Sequence, residues 1–411
     1  MKRKVYIFNG TSRATAYGIG TYIKQLTDCL IDTDIEFEVI YLHSQNSGNE
    51  VTVTEESGYK QISIPAIAST AKKSAQYYQR NVAYLLKEFI SDNKDTQYIF
   101  HLNFMANPNL VVMLKKMFKC KIITTIHYAN WSFALQGNQE KLIELLTKKK
   151  LDSKEKAIVK EIKADKKMLE KSDCFICVAQ HALDSFRDVY TLDTSKGVVI
   201  NNALKDAYRQ LSPDERRTIK QKYSIAEQTK ILIFVGRLDE AKGLRVLISA
   251  YKEVLKTNPD THLFIAGDGD FNSWLSEAKN DWLKISFTGK LDKEQLYELY
   301  SIADIGVMPS YYEQCSYVGI EMMMFGLPIV ASDGMGVKEM FTDNVNAKIA
   351  PIGNREKPEE FQNNLTASII EILQSPELAE RLGGETRKIY EEKYESKKMK
   401  DKYIELIDSL G

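Results

Sequence analysis

Two carboxylates stand eight residues apart in Glu313-Gln-Cys-Ser-Tyr-Val-Gly-Ile-Glu321. The preceding Asp304-Ile-Gly-Val-Met-Pro-Ser310 reads as a strand running into a loop, and an apolar helical pattern and Gly326-Leu-Pro-Ile-Val-Ala-Ser332 follow. Eight residues is a little over two helical turns, so on one helix both acids would share a face. With Glu313 in the loop and Ser316 capping the helix, the amides near Tyr317 and Val318 point out of the helix start instead. Free amides there attract anions such as phosphate. A phosphate cradle beside two carboxylates suits a sugar nucleotide, whose hydroxyls donate and whose phosphates accept.

Cations stand in a second segment, Ile231-Leu-Ile-Phe-Val-Gly-Arg237, followed by Lys242-Gly243. Arginine offers a fixed two-pronged fork and lysine a compact mobile charge. Five residues apart across a strand-loop-helix turn, both could reach the same phosphates; the plainer reading is a surface ion pair. With two such cations and helix-start amides, a departing diphosphate needs no divalent metal, and no metal site is expected. Asp32-Thr-Asp34 and Asp268-Gly-Asp270 have metal-binding spacing, but short acidic turns are common. His127 ends the apolar run Ile122-Ile-Thr-Thr-Ile, where a neutral imidazole could hydrogen-bond a sugar hydroxyl or simply fill the rim. His101 also ends a strand. Gly18 and Gly20 follow the first strand and allow a loop to approach phosphates closely.

Short β-rich runs that position these residues alternate with longer helical patterns. Strands are expected at 4–8, 36–42, 97–101, 121–126, 174–178, 197–201, 230–235, 261–266, 284–288, 304–308 and 328–332. Most are near-continuous apolar runs, as in parallel strands covered on both faces. The alternation implies βαβ units and an α/β fold of two Rossmann-like, doubly wound parallel-sheet domains. At 411 residues, two cores are expected. The pattern resets around 205–230, where the polar Ser212-Pro-Asp-Glu-Arg-Arg reads as a linker. The expected domains are 1–205 with a terminal helix near 394–411, and 206–393. Ligands of such folds bind beyond the carboxyl ends of strands, where all these motifs lie, so two facing sheets would line one central cleft.

The chain balances 56 basic against 56 acidic residues, which gives no global attraction to nucleic acid. It has no apolar run of membrane-spanning length, and its amino-terminal apolar run is too short for a signal peptide. Five cysteines, an odd number, fit reduced thiols in a cytoplasm. Cys174 and Cys177 are three apart on a strand, face opposite sides and read as structural. Segment 141–171 holds eleven lysines against six acids and reads as one or two amphipathic helices. Its basic face is either simply solvated or a weak peripheral contact with anionic membrane. Trp131 and Phe133 line an acceptor pocket or merely pack.

The order strand, Glu313, capped loop, Glu321, Gly-x-Pro strand resembles the signature of retaining GT-B glycosyltransferases of the family 4, or group 1, type. Gly236-Arg237 with Lys242-Gly243 resembles that family's Gly-Arg-x(4)-Lys-Gly element. Leu263 to Gly269, Phe287-Thr-Gly-Lys-Leu291, Ala303-Asp304 and Pro309-Ser310 keep its order. Tyr17-Gly-Ile-Gly20, Thr125-Ile-His127, Leu169 to Phe186 and Val198 to Leu204 continue the match in the first half. The resemblance implies that Glu321 holds the ribose hydroxyls and Glu313 the donor sugar, with backbone near Lys290 and Leu291 on the base. It implies transfer of a hexose-type sugar from a UDP- or GDP-linked donor, with no cofactor, to a glycan, lipid-linked sugar or peptide. The departing phosphate would itself take the acceptor's proton. Gln314-Cys315-Ser316 stands where the family usually has Gly-Phe-Gly, which adds side chains near the sugar. A sugar-nucleotide epimerase of the same layout and a non-catalytic sugar-nucleotide or glycan-binding module are the competing classes.

Overall fold

The computed structural model describes residues 2–10, 18–44, 49–56, 58–67, 73–91, 93–103 and 108–411. It divides into two compact units. One comprises Met1–Leu135, Gln139–Ala203 and Ser396–Gly411, the other Gln136–Asn138 and Leu204–Glu395.

The first unit holds β1 (Lys2–Gly10), β2 (Glu36–Ser44), β3 (Thr52–Glu56), β4 (Tyr59–Pro65), β5 (Thr96–Leu102), β6 (Cys120–Ile126), β7 (Cys174–Cys177) and β8 (Gly197–Val199). They stand in the order β3-β4-β2-β1-β5-β6-β7-β8, parallel except for β3, which pairs antiparallel with β4. Helices α1 (Gly18–Ile31), α2 (Ser74–Leu85), α3 (Pro108–Met117), α4 (Asn130–Ala134), α5 (Gln139–Thr147), α6 (Ser153–Lys171) and α7 (Gln180–Asp188) connect them. The core joins Phe8, Ile40, Phe100 and Ile122 from the sheet to Leu110, Leu114 and Met168 from the helices. The terminal helix Ser396–Ser409 belongs to this unit. Gln97 Nε2 donates to the Leu410 carbonyl at 2.8 Å, and the buried Tyr403 hydroxyl meets His101.

The second unit holds β9 (Lys230–Val235), β10 (Thr261–Ala266), β11 (Ile285–Gly289), β12 (Ile305–Met308), β13 (Ile329–Ser332) and β14 (Lys348–Ala350). All pair in parallel, in the order β11-β10-β9-β12-β13-β14. In chain order this is the 3-2-1-4-5-6 sheet of a doubly wound nucleotide-binding fold, whose topology reverses between β9 and β12. Its helices are α8 (Pro213–Lys222), α9 (Leu244–Thr257), α10 (Phe271–Ala278), α11 (Lys293–Ile302), α12 (Tyr317–Met324), α13 (Val337–Met340), α14 (Pro358–Gln374) and α15 (Pro376–Ile389). Every residue of β12 and β13 is buried, which explains their unbroken apolar sequences.

The structure differs from expectation in two places. Ser212-Pro-Asp-Glu is the start of α8 and not a linker. Ser212 and Glu215 close a capping box, and Arg216 donates to the Ser301 and Ile302 carbonyls, tying α8 to α11. Strands β3, β4 and β14 carry too little apolar sequence to stand out: β3 is the edge run Thr-Val-Thr-Glu-Glu, exposed over residues 52–55, and β14 has three residues. Among the described residues no helix is long and apolar enough to cross a membrane.

Candidate active site

Strand β9 ends at Val235, and the chain reaches α9 through Gly236, Arg237, Asp239 and Lys242. Two glycines permit the close packing this turn needs. A Cβ on Gly243, at φ +71°, would lie 2.1 Å from the Pro309 carbonyl oxygen. A Cβ on Gly267, at φ +151°, would lie 1.8 Å from the Gly236 oxygen. The turn after β9 is thereby pressed against the loop after β12, and the Tyr311 amide donates to the Ala241 carbonyl at 3.0 Å. This is the crevice beside the switch in strand order.

Lys242 meets Glu313 there. The Lys242 ammonium donates to Glu313 Oε1 at 2.5 Å, and the Ser310 hydroxyl donates to the same oxygen at 2.9 Å. Both charged side chains are mostly buried, at 20% and 13% exposure. The Glu313 amide donates to the Met335 carbonyl at 2.9 Å, which fixes the loop from its other side. Arg237 is not part of this pair: its guanidinium lies 3.1 Å from the Asp239 carboxylate, and it keeps about a third of its surface exposed.

Helix α12 begins at Tyr317, four residues after Glu313. Ser316 is its N-cap and accepts from the Gly319 amide at 3.4 Å, so Tyr317 and Val318 form the first turn. Glu313 is therefore in the loop and Glu321 in the helix, and the two acids do not share a helical face. A Cβ on Gly306 of β12 would meet Met322 Sδ at 2.8 Å, so glycine there lets the helix lie close on the sheet. Glu321 is 2% exposed. Its carboxylate is ion-paired with Lys293, the first residue of α11, and accepts from the Tyr300 hydroxyl at 3.1 Å. Burial and the adjacent carboxylate raise the Tyr300 pKa well above its ordinary value, which keeps that donor protonated.

Lys290 and Leu291 lie between β11 and the Asp292 cap of α11, which closes a capping box with Gln295. This segment thus leads directly into the helix carrying Lys293 and Tyr300, which sequence reasoning missed. The Asp292-x-x-Gln295 box was legible and places Lys293 at a helix start; its pairing with a carboxylate 28 residues on was not. Gln314 Nε2 donates to the Tyr312 hydroxyl at 2.6 Å, while its Oε1 is buried without a partner among the described residues.

The remaining sequence-predicted residues belong to the first unit. Gly18 and Gly20 open α1; Tyr17 lies outside the described residues. His127 is partly buried, packs edge-on against Tyr22 with ring centroids 4.6 Å apart, and places Nε2 3.2 Å from Asn103 Oδ1. An amide oxygen only accepts, so Nε2 carries the proton and Nδ1 keeps its lone pair. Burial lowers the His127 pKa to about 3, so the ring is neutral at physiological pH. His101 is fully buried, with Nδ1 2.8 Å from the Tyr403 hydroxyl and Nε2 2.6 Å from Thr125 Oγ1. Both nitrogens are engaged, so His101 is a core residue. Trp131 is buried and Phe133 exposed. Asp32 and Asp34 sit in an exposed turn, and Asp270 accepts from the Ser273 hydroxyl at the start of α10. Among the described residues no three His, Cys, Asp or Glu side chains converge on one point.

Comparison with known proteins bears on the fold and the family. Residues 215–389 match the family model of glycosyl transferases group 1. An uncharacterized glycosyltransferase of Methanocaldococcus jannaschii is 30% identical over 176 residues, 42% of this chain and 45% of that protein. Alpha-D-kanosaminyltransferase of Streptomyces kanamyceticus is 24% identical over 253 residues, 60% of this chain and 63% of that protein. The chain thus spans about half the length of the curated relatives it matches. Sucrose-phosphate synthase of Thermosynechococcus elongatus superposes with a TM-score of 0.76 at 17% identity, covering 100% of this chain and 99% of that one. HepE of Anabaena, solved with UDP and glucose, gives 0.70 at 13% identity and 99% coverage of both chains. The fold is that of GT-B glycosyltransferases.

Proposed function

We propose that this chain is a retaining glycosyltransferase of the family 4 type. It would move a hexose-type sugar from a UDP- or GDP-linked donor to a hydroxyl of a glycan, lipid-linked sugar or peptide, with no divalent metal and no cofactor. The observation that carries the reading is the Lys242–Glu313 pair at the switch between β9 and β12, with the buried Glu321 eight residues further on in α12. An ammonium has three donors. Lys242 spends one on Glu313 and offers two to phosphate oxygens, with Arg237 as the second cation. Glu313 Oε1 takes Lys242 and Ser310, leaving Oε2 to accept from a donor-sugar hydroxyl. Glu321 accepts from the ribose diol once Lys293, whose side chain is 56% exposed, swings aside. Tyr317 and Val318 supply first-turn amides to the phosphates, and backbone at Lys290 and Leu291 contacts the base. In the first unit, Gly18 and Gly20 serve close approach to phosphate, and the His127 Nδ1 lone pair accepts from a sugar hydroxyl. As the glycosidic bond breaks, a leaving phosphate oxygen takes the acceptor hydroxyl's proton, so the new bond forms on the same face.

The reading is tested by incubating the purified chain with a panel of UDP- and GDP-sugars. Slow release of free UDP or GDP from one donor is the expected result, with an α-linked donor giving an α-linked product once an acceptor is found. A changed sugar on an intact nucleotide would replace the reading with an epimerase. Tight donor binding without turnover would replace it with a binding module.

A further inference from the structure

The lysine-rich segment of the first unit forms two helices with distinct surfaces. In α6 the buried positions include Ile158, Ile162, Asp165 and Leu169, a stripe with steps of four, three and four residues. Lys156, Lys160, Lys163 and Lys167 repeat the same steps two residues out of phase, and all four are exposed. At 100° per residue this places their stripe opposite the buried one. The nearby Glu155 is already engaged, closing the capping box at Asp152 and accepting from Lys148 at 2.7 Å. Among the described residues none of the four lysines is in an ion pair.

The preceding helices expose apolar side chains where solvent-facing polar ones are usual. Phe133 of α4 is 47% exposed, and Ile143 and Leu146 of α5 are 51% and 37% exposed. Ile143 and Leu146 are three apart and neighbours on the helix surface, while Leu142 and Leu145 fill the buried side. The exposed Lys148, Lys149 and Lys150 follow directly and lead into α6. A cationic stripe alone would suit any polyanion. A cationic stripe on a helix consecutive with exposed phenylalanine, isoleucine and leucine suits a surface presenting negative headgroups above hydrocarbon.

We propose that α4, α5 and the outer face of α6 form a docking surface for an anionic lipid bilayer. The lysines would lie among headgroups while Phe133, Ile143 and Leu146 enter the acyl boundary. This rests on no assumption about the sugar donor, and would favour an acceptor held at a membrane. Sedimentation of the 411-residue chain with phosphatidylcholine vesicles, with and without phosphatidylglycerol, tests it. Binding is expected only to the phosphatidylglycerol vesicles, weakening as salt is raised. The combined Lys156→Gln, Lys160→Gln, Lys163→Gln, Lys167→Gln variant should lose roughly a hundredfold or more in partitioning, at about fivefold per lysine. Ile143→Ser with Leu146→Ser should weaken vesicle binding and leave binding to soluble polyphosphate unchanged. All six positions are exposed, and unchanged thermal unfolding would show that the variants fold. Failure to sediment with the anionic vesicles, equal binding to phosphatidylcholine alone, or indifference to the apolar substitutions would overturn the proposal.

Discussion

Replacing Glu321 by glutamine separates a structural acid from one that binds substrate. The side chain is 2% exposed, ion-paired with Lys293 and hydrogen-bonded by Tyr300. Glutamine keeps the shape and the acceptor for Tyr300. It loses the attraction of Lys293 but also the cost of burying a charge, and the Lys293 side chain, 56% exposed, is not left as a buried unpaired charge. Folding stability should therefore stay within about 1 kcal/mol of wild type. Binding of the nucleotide should not. A hydroxyl donating to a carboxylate gains about 1.5–3 kcal/mol, against roughly 0.5–1.5 for a neutral acceptor. Two ribose hydroxyls then lose about 2 kcal/mol together, a roughly thirtyfold weaker dissociation constant. Glu321→Ala should lose nucleotide binding as well, and also about 2–4 kcal/mol of stability, because it orphans the Tyr300 hydroxyl and opens a small cavity. Urea unfolding and calorimetric titration with UDP and GDP measure both quantities. If Glu321→Gln bound nucleotide as wild type does, or lost affinity only in step with stability, the carboxylate would be structural and the assigned ribose contact wrong.

Other substitutions test neighbouring parts of the structure. Lys242→Met leaves Glu313 with only the Ser310 hydroxyl; it should cost about 2 kcal/mol in urea unfolding, between exposed and fully buried pairs, and at least a hundredfold in nucleotide release. Gln314→Gly removes the amide whose Oε1 has no partner, and should change the ranking of donors by kcat/KM while leaving UDP or GDP affinity within about threefold. Tyr403→Phe leaves His101 Nδ1 unpaired in the core and should cost about 1–3 kcal/mol in the same unfolding assay. Acid stability carries opposing contributions. Burial lowers His101 and His127 from 6.5 to about 3, so the unfolded chain binds protons the folded one refuses, and their stabilisation is lost as pH falls from 6.5 toward 3. Burial and Glu161 raise Asp165 from 3.8 to about 7, so the folded chain holds a proton the unfolded one has released, and this stabilisation is lost as pH rises through that range. Asp165→Asn should raise Tm at pH 8 and leave it nearly unchanged at pH 4 (differential scanning calorimetry); an equal shift at both pH values would contradict the assignment.

The fold was legible wherever burial acts on both faces of an element. Runs such as Ile231-Leu-Ile-Phe-Val and Asp304-Ile-Gly-Val-Met can only be strands covered by helices, and the structure places them at β9 and β12. Strand β3 was not legible, because an exposed edge strand has no apolar constraint and β3 carries Thr and Glu. Helix α8 reads as a linker in the sequence because nearly all its residues are polar. Its stability comes from a capping box and from Arg216 reaching carbonyls 85 and 86 residues away, neither of which produces hydrophobic periodicity. In the site, Ser316 as cap and Glu313 in the loop followed from local rules. The partners Lys293 and Tyr300 did not, because they sit on another helix and meet Glu321 only after the sheet has been wound.

The pairing of the two carboxylates bears on how a donor would enter on the proposed reading. A buried carboxylate without a counter-charge is costly, so neither Glu313 nor Glu321 can wait unpaired for a sugar nucleotide. The chain answers each with a lysine from a different strand-to-helix turn, Lys242 after β9 and Lys293 after β11. The two lysines are not equivalent. Lys242 is 20% exposed, donates into a loop whose Gly243 and Pro309 backbones touch, and can add phosphate contacts without leaving Glu313. Lys293 is 56% exposed and can move into solvent at little cost when hydroxyls replace it on Glu321. On the proposed reading, the pair at Glu313 keeps the phosphate-side geometry fixed before binding, while the pair at Glu321 exchanges. Preformed geometry is worth most at the bond that breaks, because only interactions in place at the transition state accelerate the step. On the same reading the exchangeable lysine lies on the ribose side, where a weaker contact would slow nothing chemical and would ease release of the nucleotide.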